Sequence, residues 1–112
     1  EIIARTKKGG AEIVKYLEKG SAFYAPAASG VEMAVSYLKD LKKQLPCAAF
    51  LNGEYNTKGL YAGVPVIIGS KGVEKVLEID LSENEKKDFE KSIKAVRDLF
   101  DAASNIDKDL KN

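Results

Sequence analysis

Residues 45–82, LPCAAFLNGEYNTKGLYAGVPVIIGSKGVEKVLEIDLS, contain a series of apolar runs separated by turn signals. Three of these runs have the length of a strand, and they are residues 47–51, 60–68 and 73–79. Asn52-Gly53 ends the first run, and Gly69-Ser70-Lys71-Gly72 joins the second to the third. Because strands joined by short turns pair with their neighbours, we expect a three-stranded antiparallel meander. Pro65 cannot donate to a ladder, which predicts that its strand lies at an edge or carries a bulge.

We expect one helix over residues 1–18, because apolar and lysine side chains alternate there at helical spacing. Gly9-Gly10 lies inside it and costs about 1 kcal/mol per glycine relative to alanine. The pair therefore indicates either a local break or a close approach by another backbone. A phosphate loop does not fit, since no strand precedes the glycines, so we favour close packing. The turn Lys19-Gly20-Ser21 ends the helix, with Gly20 as the left-handed residue.

A second helix is expected from about Tyr24 to about Lys43. Pro26 fits its first turn, where a missing N–H does no harm. Leu45-Pro46 is expected to stop it. The apolar side chains that recur at helical spacing and should face the core are those of Met33, Tyr37, Leu38 and Leu41.

The clearest helix follows the predicted sheet. Ser82 and Glu85 have the spacing of a capping box. One apolar stripe then continues along the helix, through Phe89, Ile93, Val96 and Phe100. The polar tail, residues 104–112, is expected to fray. The order helix, helix, three strands, helix predicts an α+β domain with a small antiparallel meander sheet, occupying residues 1–112.

Composition limits the classes of function. The 112 residues include 18 basic and 17 acidic side chains, for a net charge of +1. This balance gives no electrostatic reason to expect nucleic acid or an anionic membrane as partner, and no apolar run is long enough to span a bilayer. The single cysteine, Cys47, rules out an internal disulfide and favours a buried structural thiol in a reducing, cytoplasmic setting.

The chain carries few groups that could act as catalysts. It contains no histidine, so no imidazole can serve as general base or metal ligand. Its serines therefore have no imidazole base to activate them, and its two arginines, Arg5 and Arg97, are isolated in sequence. We expect no catalytic residue and no metal ligand, and hence no self-contained enzyme. Because the chain begins at Glu1 rather than at methionine, we favour a fragment of a longer protein.

Four collinear segments resemble the C-terminal half of the lactate/malate dehydrogenases, most closely the malate dehydrogenases of the lactate-dehydrogenase-like type. They are GGAEIVKYLEKGSAFYAPAASGVEMAVSYLKD (9–40), LPCAAFLNGEYNTKGLYAGVPVIIG (45–69), GSKGVEKVLEIDLS (69–82) and ENEKKDFEKSIKAVRDLFD (83–101). The resemblance covers about residues 1–103. It implies a C-terminal substrate domain that is preceded, in the family, by a Rossmann domain.

The resemblance also implies an activity, the NAD-dependent interconversion of malate and oxaloacetate by hydride transfer. The family's histidine, aspartate and arginines match nothing in this chain, so its catalytic residues cannot be assigned here. What the resemblance assigns is Ser21 and Ala22 near a dicarboxylate substrate, and Pro26 against the nicotinamide of NAD. Lactate dehydrogenases often carry threonine in place of Ala22, although substrate choice depends mainly on an upstream residue. The family's enzymes are dimers or tetramers, which implies a homo-oligomer.

Two other interpretations stay open. The chain could be a free-standing, non-enzymatic module whose apolar segment 20–30 binds a partner protein. It could also come from a lactate dehydrogenase, which would differ only in substrate. Ala22 within GSAFYAPAAS favours the malate dehydrogenase over the lactate dehydrogenase.

Overall fold

A three-stranded antiparallel sheet lies at the centre of the protein, whose computed structural model describes residues 1–111. The elements, in chain order, are α1 (Ile2–Lys7), α2 (Gly9–Leu17), α3 (Tyr24–Leu38), β1 (Lys43–Asn52), β2 (Lys58–Gly69), β3 (Gly72–Val76) and α4 (Glu83–Ile106). Short 3-10 turns occur at Glu54–Asn56 and Lys108–Lys111. The α+β class and the meander are confirmed.

The strands lie in the order β1-β2-β3, so the strand that carries Pro65 is central. The prediction of an edge strand is therefore wrong, although the register shifts close by, between Ile67 and Ile68. Pro65 pairs with Pro46 of β1 on one side. On the other side its carbonyl accepts a hydrogen bond from the Leu77 N–H at 2.8 Å. The strand tolerates proline because only one hydrogen bond is lost, the one that a backbone N–H at position 65 would donate to the Leu77 carbonyl.

One face of the sheet forms the core. Alternate residues of β2 are buried there together with two residues of β1, and the set is Ala49, Leu51, Leu60, Ala62, Val64, Val66 and Ile68. Met33 of α3 and Phe89 and Ile93 of α4 pack against them. Each fully buried aliphatic side chain contributes about 1.5–3 kcal/mol. This face therefore fixes where α3 and α4 sit.

Helix α3 ends earlier than expected, at Leu38 rather than near Lys43. The Leu41 N–H donates to the Ser36 carbonyl at 2.9 Å, and Asp40 has a positive φ of 48°. These are the features of a Schellman ending, with aspartate in the place usually held by glycine. Pro46 does not stop the helix, because it already lies inside β1.

The core-facing set predicted for α3 is only partly right. Met33 packs on the core, whereas the other three predicted residues are exposed, namely Tyr37, Leu38 and Leu41. Ser36 is the fully buried residue of this helix. Its hydroxyl donates to the Ile68 carbonyl at 2.7 Å and accepts from the Lys43 N–H at 3.2 Å. A polar side chain thus joins α3 to both β1 and β2.

The N-terminal region is two helices rather than one. Lys8, with φ −108° and ψ 5°, separates α1 from α2, immediately before Gly9. A side chain added at Gly9 or Gly10 would meet nothing within 4 Å. The local break is confirmed, and the predicted close packing is not found among the described residues. Glu18, with φ 61°, takes the left-handed position at the end of α2, and Gly20 follows with φ 82°.

Helix α4 begins with the predicted capping box. Ser82 Oγ accepts from the Glu85 N–H at 3.4 Å, and the Glu85 carboxylate accepts from the Ser82 N–H at 2.9 Å. The helix continues to Ile106, three residues into the segment predicted to fray. Ser104, inside that segment, is buried. Asn112 lies outside the described residues.

The single thiol lies at the contact between α3 and β1. Cys47 is half-buried, and its Sγ lies 3.3 Å from Sδ of Met33. Burial raises the pKa of the Cys47 thiol above its ordinary value. A raised pKa reduces the thiolate that would react, which supports the structural role predicted for this residue.

Candidate functional site

The segment Gly20–Gly30 connects α2 to α3 and continues into the first two turns of α3. Ser21 and Pro26 are exposed, and Ala22 is half-buried. The segment contains no charged residue, and Lys19 and Glu32 are the nearest charges in sequence on its two sides. The residues assigned by resemblance to substrate and nicotinamide thus share one small, uncharged surface.

Backbone hydrogen bonds hold this surface at the start of α3. The Ala25 N–H donates to the Ala22 carbonyl at 3.3 Å, and the Ala27 N–H donates to the Phe23 carbonyl at 3.0 Å. Ser21 Oγ accepts from the Phe23 N–H at 3.4 Å. Pro26 lies in the first turn, as predicted, where its fixed φ suits the helix.

Phe23 precedes the helix in an unusual conformation that the sequence did not indicate. Its φ is 22° and its ψ is −64°, a combination outside the favoured regions that costs on the order of 1–3 kcal/mol. Its ring lies on Gly20, where a Cβ would come within 2.6 Å of the ring atom Cε2. The positive φ of Gly20 favours glycine, and a side chain added there would have to displace the ring.

The segment Gly20–Gly30 contains no carboxylate, amine or imidazole that could serve as a general base. Ser21 offers a hydroxyl, Ala22 a methyl group, and Pro26 a rigid apolar ring. No side chain caps the N-terminus of α3, where Pro26 has no N–H and the Ala25 N–H already donates to the Ala22 carbonyl. These three residues thus present one hydroxyl, one methyl group and one apolar ring, without charge.

Several charged groups elsewhere in the fold form ion pairs with one another. Lys42 bridges Glu74 at 2.8 Å and Asp40 at 3.5 Å. Asp40 also accepts from the Ser70 N–H, the main reason why its pKa is lowered, and Lys42 lowers the pKa of Glu74. Within residues 1–111 no group of three potential metal ligands converges. None of the helices described is long and apolar enough to cross a membrane.

Two clefts lie away from this segment. One of about 320 Å³ lies between Tyr55 and Phe89, at the start of α4. A shallow one of about 580 Å³ lies on the open face of the sheet, beside Phe50 and Tyr61. Neither includes Ser21, Ala22 or Pro26. The structure therefore brings these three residues together along one segment but does not enclose them.

Known proteins match nearly the whole chain. The family described as lactate/malate dehydrogenase, alpha/beta C-terminal domain, matches residues 1–106. A malate dehydrogenase from Pelagibacter ubique is 70% identical over 110 residues, which are 98% of this chain and 34% of that protein. The chain thus spans about a third of the length of the curated relative it matches.

Two solved structures show the same arrangement. The malate dehydrogenase from Salinibacter ruber is 42% identical, with a TM-score of 0.90 over 96% of this chain and 35% of that one. The lactate dehydrogenase from Eimeria maxima, solved with NADH and oxamate, is 45% identical, with a TM-score of 0.88 over 94% of this chain and 33% of that one. The fold and the sequence point to one family.

Proposed function

The chain belongs to the lactate/malate dehydrogenase family, as its alpha/beta C-terminal domain, and we propose that it is part of an NAD-dependent malate dehydrogenase. The 70% identity over 110 residues with a malate dehydrogenase is the observation that carries the proposal. The reaction would interconvert malate and oxaloacetate, with NAD supplying the hydride acceptor. As in the relative, this chain would be about a third of the enzyme.

Within the segment Gly20–Gly30, the residues proposed to form one wall of the active site are Ser21, Ala22 and Pro26. Ser21 and Ala22 would border the dicarboxylate, where a hydroxyl can donate to a carboxylate oxygen and a methyl group leaves room for it. Pro26 would lie against the nicotinamide, whose flat ring suits an exposed, uncharged surface. The surface fits that part of NAD, and the rest of the cofactor would be bound by the preceding domain.

We expect the isolated chain to be inactive. Proton transfer to and from the substrate hydroxyl requires a group with a suitable pKa within hydrogen-bond reach. The segment Gly20–Gly30 contains no carboxylate, amine or imidazole. The acid/base group and the arginines that hold the carboxylates would therefore come from the preceding part of the enzyme.

We further propose a homo-oligomer in a reducing, cytoplasmic compartment. Exposed apolar side chains support the first part, since monomers rarely leave large apolar areas uncovered. The half-buried free thiol of Cys47 supports the second, because it needs no oxidant or disulfide partner.

The substitution Ala22→Thr tests whether Ala22 borders the substrate. It would be made in a chimaera in which this chain replaces the matching third of the Pelagibacter ubique enzyme. A threonine narrows the pocket, so kcat/KM for oxaloacetate should fall about tenfold and that for pyruvate should fall less. Ala28→Thr, an exposed alanine of α3, is the control. An unchanged ratio of the two substrates would count against the role of Ala22.

The non-enzymatic module requires a different measurement. Intact-mass analysis of the native product would show a species of about 12.2 kDa if the module exists by itself. A species of about three times that mass, as expected from the length of the Pelagibacter ubique relative, would favour the enzyme.

A further inference from the structure

The loop between α2 and α3 spans six residues, 18–23. Glu18, Gly20 and Phe23 all have positive φ, at 61°, 82° and 22°. Two of the three are not glycine, so contacts must hold them in these conformations. Ser21 and Ala22 lie between the last two of these positions. Their placement therefore depends on what joins Gly20 to Phe23.

The ring of Phe23 is that connection. It lies on the backbone of Gly20, so close that a Cβ there would overlap it. More than half of the Phe23 side chain is exposed (55%), so the hydrophobic core does not account for its position. The next aromatic residue, Tyr24, is 77% exposed. Of these two adjacent aromatic residues, Phe23 is the one whose ring packs on Gly20.

The backbone of Phe23 is held at the same time. Its N–H donates to Ser21 Oγ at 3.4 Å, and its carbonyl accepts the Ala27 N–H in the first turn of α3. The ring and the backbone together fasten the loop to the helix that carries Pro26. Ser21 and Ala22 are thus held against the start of α3, whereas Pro26 is held by the helix itself.

We propose that Phe23 is a positioning residue, which packs on Gly20 and thereby fixes Ser21 and Ala22 beside the substrate. This inference rests on the proposed function and deepens it. Phe23 is not expected to touch the reacting atoms. Its effect should therefore fall on substrate binding, with the chemical step and NADH binding affected far less.

Steady-state kinetics of Phe23→Leu, in the chimaera with the Pelagibacter ubique enzyme, test this. Loss of the ring should raise the KM for oxaloacetate about tenfold through misplacement of the wall, while kcat and the KM for NADH stay near those of the unsubstituted chimaera. Gly20→Ala should reproduce the effect by displacing the ring. Phe23→Tyr keeps the ring and should restore the KM. Tyr24→Leu removes the neighbouring aromatic residue and should change none of these values.

Hydrogen exchange of the same proteins gives a readout independent of activity. Phe23→Leu should speed amide exchange in residues 18–27 and leave β2 and α4 unchanged. An unchanged KM for oxaloacetate, or a fall in kcat together with faster exchange throughout the protein, would overturn the positioning role. An unsubstituted chimaera that folds but has no activity would overturn the proposed function and this inference together. If the unsubstituted chimaera is active, the variants test the positioning role of Phe23 alone.

Discussion

Tyr55 supports the sheet where Pro65 leaves a hydrogen bond unmade. Pro65 has no N–H to give to the carbonyl of Leu77, and the Tyr55 hydroxyl donates to that carbonyl at 2.6 Å. The same hydroxyl accepts from the Ile79 N–H at 3.1 Å. The tyrosine ring packs on Phe89 of α4, with the ring centroids 5.1 Å apart. One side chain therefore joins the β1–β2 turn to the end of β3 and to α4.

Removing this hydroxyl should destabilise the fold. Tyr55→Phe would leave the half-buried carbonyl of Leu77 without its donor, which should lower the free energy of unfolding by about 1–3 kcal/mol. Urea denaturation followed by circular dichroism would measure it. Tyr61→Phe is the matched control, since Tyr61 lies on the open face of the sheet and is 62% exposed. Equal stability of the two variants would contradict the bridging role.

The boundary between α3 and β1 shows what sequence patterns can predict for an element. Capping residues and turn glycines are recognised from the residue type alone, so the start of α4 and the turn at Gly69–Gly72 are predicted correctly. The end of α3 depends on an aspartate in a left-handed conformation, which has no distinctive pattern. Its position is fixed by contacts distant in sequence, as Asp40 accepts from the Ser70 N–H at 2.8 Å. The helix therefore ends where tertiary structure holds Asp40.

The capping box of α4 should contribute stability that depends on pH. Ser82→Ala should cost about 1 kcal/mol at neutral pH. The Ser82 hydroxyl and N–H lower the pKa of Glu85 below its ordinary value of 4.5. Because the folded-state pKa is the lower one, this carboxylate adds stability above pH 4.5 and loses it as the pH falls through the lowered value.

Thermal denaturation from pH 7 to pH 2.5 would show this dependence. The difference in Tm between the wild type and Ser82→Ala should shrink as the solution becomes acidic. Ser92→Ala, on the exposed surface of the same helix, is the control and should show a small difference that does not change with pH. A Ser82→Ala difference that stays constant would show that the Glu85 carboxylate takes no part in the cap.

The whole molecule is more open than a compact domain of its length. Its radius of gyration is 16.1 Å, whereas about 13 Å is usual for a domain of this size. Helices α1 and α2 bury no residue fully, and Ile2 and Tyr16 are 82% and 76% exposed. The sheet could be predicted from the sequence because its three strands pair with one another along the chain. The proposed active-site wall came only from the resemblance, because its three residues carry no catalytic group that a sequence pattern could identify.

This openness predicts association of the isolated chain. Sedimentation velocity over a range of concentrations should show a mass that rises above that of the 12.2 kDa monomer, because exposed apolar area favours self-association. Ile2→Lys combined with Ile3→Glu, which leaves the net charge unchanged, should reduce the association. Lys7→Arg combined with Lys8→Arg, on the same helix and its boundary, keeps both charge and apolar area and should not change it. A chain that remains monomeric and stable at all concentrations would contradict this expectation.

The central claim is that this chain completes an enzyme whose reacting groups lie elsewhere. Oxidation of NADH by oxaloacetate should be measured for the isolated chain and for the chimaera with the Pelagibacter ubique enzyme, at equal molar concentrations. We predict turnover by the chimaera comparable to that of the Pelagibacter ubique enzyme, and none above buffer by the chain alone. Turnover by the pure chain, or a folded chimaera without turnover, would contradict the claim.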